Sequence, residues 1–295
     1  MRRNIQLYQP IEELHNEDNL PKVENTTEQS KNTAKDSALH EEARHLAHQL
    51  FGNETEKCDG FTNRLLDICS RAQGKDFLLI HNPGGWGTTK LEHCLQWERS
   101  IVAGISTTLD RLGYTWLLIQ YFRTGSGWGE HIRDVKEQFR FFASKAKMMA
   151  AEVEFLVRYT NNLQVILIGI SQGAVFGNSV MQCLSGPGQA YSIELGMLFT
   201  QRSRRVVTNR TLAIDSNGLM PDAIMEWNII TMLKTFLATP FRWIKYRLEG
   251  KPRKFSHCIN VPGHEYNWEH PEVRQQIEDF IQINLGTKSD LEGSL

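Results

Sequence analysis

The sequence predicts an α/β protein in which a mostly parallel central sheet is flanked by helices. From Phe77 onward, short apolar runs rich in β-branched residues alternate with longer amphipathic stretches, and this alternation is typical of a parallel sheet covered by helices. Hydrophobic residues make up 40% of the 295 residues and charged residues 23%, which excludes a collagen, a disordered chain or a coiled coil as the whole structure.

The amino-terminal part differs in composition from the rest. Residues 1–36 are polar and contain few large apolar side chains, so we expect them to form a flexible leader. Ser37 is a suitable N-cap for a first helix, whose apolar face would hold Leu39, Leu46 and Leu50 and which Gly52 would end. Residues 37–295 then form one domain.

The remaining elements follow from apolar runs and their spacing. Strands are predicted at 77–80, 116–121, 165–168, 211–214 and 257–261, with a weaker one at 191–198. One helical stripe of apolar residues runs from Ile101 to Leu112, and a second runs from Ile132 to Leu156. The chain closes with a helix that has Pro271 near its first turn.

Residues 223–250 interrupt this alternation, and we expect them to form a small helical cap insert. An apolar segment precedes Pro240, and a basic and aromatic stretch follows it. Its basic side chains are Arg242, Lys245, Arg247, Lys251, Arg253 and Lys254. We interpret them as a solvated basic edge. The less favoured alternative is contact with an anionic membrane surface, which would favour a lipid substrate.

The charge balance and the cysteine content limit the classes of partner and the cellular compartment that we expect. The 33 Lys and Arg against 34 Asp and Glu leave a net charge of -1, which lacks the basic footprint of a nucleic-acid binder. Five cysteines without a CxxC pair indicate neither a disulfide framework nor a zinc site, so we expect a cytoplasmic protein. The sequence shows no secretory signal and no membrane-spanning run, and it does not indicate an oligomeric state.

The sharpest local pattern is Gly169-x-Ser171-x-Gly173, placed between an apolar strand and a helix with apolar periodicity. A serine on such a tight turn projects its hydroxyl from the edge of the sheet. The flanking glycines are needed where a Cβ would collide with neighbouring backbone. A plain strand–turn–helix without chemistry is the alternative interpretation.

A serine hydroxyl needs a base that a third group orients. His264 follows the predicted last strand and precedes the closing helix, so it can reach Ser171 at the carboxyl edge of the sheet. Asp215 ends the predicted strand 211–214, and Asp222 lies in the loop beyond it. Either can orient the histidine, and we favour Asp222 because a loop residue can turn back towards it.

The loop after the first predicted strand, residues 81–87, is rich in glycine, so its backbone can approach a substrate. We expect an oxyanion hole made by the N–H of Gln172 and by N–H groups near Gly85 and Trp86. Arg123 follows the second predicted strand, where it either contacts an anionic substrate group or has a structural role.

Neither a cofactor nor a metal is predicted. The loop that ends at Lys90 lacks the Gly-Lys-Ser/Thr ending of a phosphate loop. Glu130 stands where a dinucleotide fingerprint has its third glycine, and its charge would repel a pyrophosphate. His264-Glu265 is not followed by the second histidine of a zinc protease motif.

Together, the glycine-rich loop, the serine turn, the acid region and the late histidine resemble the α/β-hydrolase superfamily, whose order along the chain is serine, acid, histidine. The resemblance covers about residues 75–285, although the first two strands of the superfamily have no counterpart before residue 75. It implies Ser171 as nucleophile, His264 as general base and then acid, Asp222 or Asp215 as its orienter, and Gln172 with the Gly85–Trp86 region as the oxyanion hole.

The resulting hypothesis is a serine hydrolase that cleaves a small-molecule carboxylic ester or thioester through an acyl-enzyme. Two alternatives stay open. An acyltransferase would use the same residues with an alcohol or amine as acceptor. A catalytically silent hydrolase fold would bind a ligand without forming a covalent intermediate.

Overall fold

Helices and strands alternate along the chain. The computed structural model describes residues 26–85, 87–123, 142–186, 188–250 and 255–289. Its elements are α1 (Thr26–Phe51), α2 (Thr55–Ala72), β1 (Phe77–Asn82), α3 (Gln96–Arg111), β2 (Trp116–Gln120), α4 (Ala143–Tyr159), β3 (Gln164–Ile170), α5 (Gln172–Cys183), β4 (Ala190–Leu195), α6 (Phe199–Arg202), β5 (Thr211–Ile214), α7 (Ile229–Leu248) and α8 (Pro271–Leu285), with 3-10 turns at Leu91–His93 and Phe255–Cys258.

The described strands form one sheet of five parallel strands in the order β2-β1-β3-β4-β5. All residues of β1 and β4 are buried, because helices cover both faces of the sheet. Apolar residues of α1, α2, α4 and α5 pack on one face, and those of α3 and α8 pack on the other. The predicted α/β class, a parallel sheet flanked by helices, is confirmed.

Most predicted strands are present, but the one at 257–261 is wrong. Residues Phe255–Cys258 form a 3-10 turn, and no strand follows them before α8. The turn contacts α7, where the ring centroids of Phe255 and Trp243 are 6.2 Å apart. Cys258 and Val261 are buried although they belong to no strand, so an apolar composition that suits an edge strand does not by itself establish one.

The predicted start of the first helix is also wrong. α1 begins at Thr26 and not at Ser37, so residues 26–36, which we expected in the leader, are helical. Good helix formers such as Gln and Lys in this stretch allow the helix to extend without an apolar face. Residues 1–25, and the part of the second apolar stripe within 124–141, lie outside the described residues. The predicted end of the first helix at Gly52 is confirmed, and so is the predicted start of the last helix near Pro271.

The insert at residues 223–250 is helical as predicted, since α7 occupies most of it. Asn228 caps this helix by accepting a hydrogen bond from the N–H of Thr231 at 3.0 Å. α7 contacts the 3-10 turn Phe255–Cys258 and is linked at its start to the loop that holds Asp222. The rotation of α7 about its own axis determines which of its side chains are exposed to solvent.

Candidate active site

Ser171 lies on a sharp turn between β3 and α5. Its backbone has φ 53° and ψ -112°, a conformation that side chains rarely adopt and that costs about 1–3 kcal/mol. A Cβ on Gly169 would lie 2.6 Å from the carbonyl oxygen of Gly173, and one on Gly173 would overlap the carbonyl oxygen of Asn82. Both glycines are therefore required for this turn. The N–H of Ser171 donates to the carbonyl oxygen of Leu195 at 2.8 Å, which ties the turn to β4.

His264 and Asp222 form a hydrogen-bonded pair, with 2.7 Å between Nδ1 of the imidazole and Oδ2 of the carboxylate. Asp222 also accepts hydrogen bonds from the hydroxyl of Tyr266 at 2.6 Å and from the N–H of Ile224 at 2.8 Å. Burial opposes ionisation of the Asp222 carboxyl, but the hydrogen bond and charge of His264, with these two other donors, hold its pKa below the ordinary value. An ionised carboxylate at this distance favours the tautomer with the proton on Nδ1, in which Nε2 is an acceptor.

Two loops in contact place this pair, since the described residues 255–263 directly before His264 form no strand. The N–H of Ala223 donates to the carbonyl oxygen of Pro262 at 3.1 Å. Gly263 has φ 79°, and a Cβ at this position would overlap the carbonyl oxygen of Pro221. A glycine before the histidine therefore allows the close approach of the two loops, and this approach brings His264 to Asp222.

Asp215, the other predicted orienting acid, has a different partner. Nη1 of Arg205 donates to both of its carboxylate oxygens, at 2.7 and 2.9 Å. The same guanidinium donates through Nε to Glu194 at 3.0 Å. Burial raises the pKa of the Glu194 carboxyl, although Arg205, Asn178 and Ser192 oppose this shift. The structure brings Asp222 to His264 and pairs Asp215 with Arg205.

Gly196 links the serine turn to the histidine pair. It follows Leu195, whose carbonyl oxygen binds the N–H of Ser171, and it has φ 59°. A Cβ on Gly196 would lie 2.8 Å from Cε1 of His264 and 2.6 Å from Cε2 of Tyr266. The imidazole thus packs against the backbone at the carboxyl end of β4, next to the strand that carries Ser171.

The predicted oxyanion loop also lies beside Ser171. A Cβ on Gly84 would be 3.8 Å from Cβ of Ser171, and Gly85 has φ 54°. Gln172 is the first residue of α5, so its N–H belongs to the first-turn donors that have no acceptor within the helix. The helix dipole adds positive potential at the same point. Trp86 lies outside the described residues.

Arg123 holds the oxyanion loop from one side. Its Nη1 donates to the carbonyl oxygen of Pro83 and its Nη2 to that of Gly85, each at 2.7 Å. The side chain is buried, and its guanidinium carbon lies 5.6 Å from the ring centre of Phe142. Of the two predicted roles of Arg123, these contacts favour the structural one, because the guanidinium binds loop carbonyls.

Sequence reasoning missed two side chains of this region. Oε1 of the buried Glu98 is 3.1 Å from Nε2 of His81 and accepts a longer hydrogen bond, 3.4 Å, from the N–H of Gly84. Tyr266 is fully buried and donates to Asp222. The only sequence signals were a carboxylate close to the apolar stripe of α3 and a tyrosine two residues after His264.

A cavity of about 600 Å³ lies behind the Asp222 loop. Asp222 contributes to its wall together with residues of the preceding loop and of α8, whereas Ser171 and His264 do not line it. It is therefore distinct from the space in front of the serine. Across the described ranges, no three His, Cys, Asp or Glu side chains are grouped in a way that could hold a metal ion.

No protein-family model matches the sequence, and no match is found among curated proteins. The site consists of a serine in a strained turn, an imidazole hydrogen-bonded to a buried carboxylate, and a glycine-rich loop beside the serine whose carbonyl groups bind Arg123.

Proposed function

We propose that the protein is a serine hydrolase of the α/β-hydrolase type that cleaves a carboxylic ester or thioester. The observation that carries the proposal is that the strained Ser171 turn and the His264–Asp222 pair both adjoin the carboxyl end of β4: the N–H of Ser171 binds the carbonyl oxygen of Leu195, and His264 packs against Gly196. The parallel sheet with flanking helices is compatible with this fold. In the described residues α1 and α2, and no strand, precede β1.

In the proposed mechanism, Nε2 of His264 accepts the proton of the Ser171 hydroxyl while Oγ forms a bond to the carbonyl carbon of the substrate. The π electrons of the carbonyl bond move to its oxygen. The N–H of Gln172 and N–H groups of the loop at Gly85 stabilise this negative charge. Asp222 keeps the imidazole in position and stabilises the imidazolium.

The tetrahedral intermediate then breaks the bond to the leaving group. His264 gives its proton to the departing alcohol or thiol, and the acyl group stays on Ser171 as an ester. Water attacks this ester while His264 again accepts a proton. The carboxylic acid leaves, and the Ser171 hydroxyl is restored. Each proton removed from the nucleophile is returned to a leaving group, so the cycle needs no other reactant.

A fluorophosphonate probe tests the nucleophile. Oγ of Ser171 should displace fluoride from phosphorus, and peptide mass spectrometry of the purified protein should locate the adduct on this residue. Ser171→Ala should not react, and His264→Asn should react far more slowly because the base is lost. Ser203→Ala, which changes an exposed serine, should label as the wild type does. A folded protein that does not react, or an adduct on another residue, would overturn the proposal.

Tyr266→Phe should distinguish two possible roles of Tyr266. The hydroxyl can position the Asp222 carboxylate through its hydrogen bond, or the ring can only fill space in the core. The change removes one of the donors to the Asp222 carboxylate, and we expect kcat for a p-nitrophenyl ester to fall about tenfold. Stability should fall by about 1–3 kcal/mol in urea unfolding. Tyr114→Phe is the matched control, because its buried hydroxyl donates to the carbonyl oxygen of Leu285 at 2.7 Å, away from Ser171. Equal kcat values for the two variants would show that Tyr266 only packs.

A further inference from the structure

Helix α7 presents its apolar side to solvent. Six of its exposed apolar residues recur at intervals of three and four and form one stripe, which we call the outer stripe: Ile230, Leu233, Leu237, Phe241, Ile244 and Leu248. Phe241 is 75% exposed and Leu248 is 84% exposed. Thr235 and Thr239, by contrast, are buried. A surface helix normally buries its apolar side, so this orientation is the reverse of the usual one.

Further exposed apolar side chains lie near both ends of α7. Trp227 and Ile229 come at its start, and Phe255 follows it in the adjoining 3-10 turn. Leu219 and Met220 are exposed in the loop that leads to Asp222. Isolated exposed apolar residues are common on proteins, whereas a concentration in one segment marks an interaction surface.

The charges of α7 indicate what covers this surface. The helix contains four basic residues, Lys234, Arg242, Lys245 and Arg247, and no acidic residue. Lys234 and Lys245 are exposed and stand about three helical turns apart, so they border the outer stripe on the same side. Arg247 lies over the ring of Trp243, with 4.2 Å between the guanidinium carbon and the ring centre. The chain as a whole has a net charge of only -1.

An apolar stripe bordered by Lys and accompanied by aromatic residues suits a helix that lies flat in the interface of an anionic bilayer. The apolar side chains enter the acyl boundary, and the cations meet lipid phosphates. A second copy of the chain fits less well, because pairing two copies of α7 would bring equal charges together. No helix in the described part of the chain is long and apolar enough to cross a bilayer.

We propose that the outer stripe of α7 docks the protein on an anionic lipid surface. The docking surface is joined closely to the candidate site. The N–H of Asn228 donates to the carbonyl oxygen of Ala223 at 3.0 Å, one residue after Asp222. Docking by α7 would therefore hold the Asp222 loop near the lipid. Binding itself does not require hydrolysis, so it can be tested apart from the proposed function.

The test is sedimentation of the full chain with phosphatidylcholine vesicles that contain about 30% phosphatidylglycerol, compared with pure phosphatidylcholine. Binding should favour the anionic vesicles and fall with added salt. Leu237→Ser with Phe241→Ser should weaken it about tenfold or more, because both side chains would enter the lipid. Lys234→Gln with Lys245→Gln should weaken binding to anionic vesicles only.

Ile283→Ser is the matched control, since Ile283 is 82% exposed on α8 and should not enter the lipid. Its binding should equal that of the wild type, and so should that of Ser171→Ala. Circular dichroism checks that each variant is folded. Absence of binding to anionic vesicles, or equal loss in Ile283→Ser, would overturn the proposal. Light scattering provides a further check. A stable dimer that is lost in the Leu237→Ser, Phe241→Ser variant would also overturn the proposal, because a second copy of the chain would then cover the outer stripe.

Discussion

Asp222→Asn should lower kcat for ester hydrolysis by about 10⁴-fold while the fold is retained. The carboxylate accepts a hydrogen bond from the proton-bearing Nδ1 of His264 at 2.7 Å, and Nε2 is then free to take the serine proton. An amide in its place can present its NH₂ to the imidazole, which favours the tautomer with the proton on Nε2. Steady-state kinetics with a p-nitrophenyl ester, together with a thermal unfolding curve, measure both parts of this expectation.

Asp215→Asn is the matched control for this substitution. It changes the same side chain, in the same loop region, but its partner is Arg205. We expect kcat to change less than about threefold and stability to fall by about 1–3 kcal/mol, because a largely buried guanidinium loses a bidentate partner. If Asp215→Asn lowered kcat as much as Asp222→Asn, the assignment of the orienting acid would be wrong.

Gly196→Ala should lower kcat by about 10²-fold or more. The added Cβ would stand 2.8 Å from Cε1 of His264 and 2.6 Å from Cε2 of Tyr266, so the imidazole must move away from β4. Displacement of a catalytic group by about 1 Å is enough for a loss of this size. Kinetics with the same ester measure the loss, and the rate of fluorophosphonate labelling should fall in parallel.

Gly74→Ala separates this steric effect from backbone strain. Gly74 has φ 72°, comparable with φ 59° at Gly196, but a Cβ there would meet nothing within 4 Å. Both alanine variants should lose about 1 kcal/mol of stability from the positive φ, and only Gly196→Ala should lose activity. Unchanged kcat in Gly196→Ala would mean that the position of His264 against β4 has no part in the chemistry.

Loss of activity in both Asp222→Asn and Gly196→Ala would show that the acid, the histidine and the end of β4 act together. The serine turn depends on glycines at Gly169 and Gly173, and the histidine depends on glycines at Gly196 and Gly263. At each of these positions a Cβ would meet backbone or a ring of the site. Close approach of segments from five separate parts of the chain, around residues 82, 169–173, 196, 221 and 263–266, is therefore what assembles the candidate active site.

The errors in sequence interpretation have specific causes. The segment 257–261 has the composition of an edge strand, but its first residues form a turn packed beside α7, and composition does not tell a sheet edge from a helix surface. The start of α1 at Thr26 was missed because residues 26–36 lack the apolar periodicity on which a helix prediction depends. In both cases the pattern of apolar residues along the chain was not enough to identify the secondary structure of the segment.

Local features, by contrast, were readable from the sequence. The strands at the centre of the sheet are continuous apolar runs because both of their faces are buried. The turn at Ser171 follows from the spacing of two glycines between a strand and a helix. The glycine-rich loop after β1 was placed for the same reason. Each of these features depends on a few consecutive residues.

The sequence by itself determined the α/β class, the serine turn and the order of serine, acid and histidine along the chain. Only the tertiary structure decided that Asp222 is hydrogen-bonded to His264 and that Asp215 binds Arg205, since the first pair is separated by 42 residues. It also decided that the apolar side of α7 faces outward. Contacts between segments that are far apart in the chain determine which of two chemically equivalent aspartates binds a given side chain. A pattern of neighbouring residues does not contain that information.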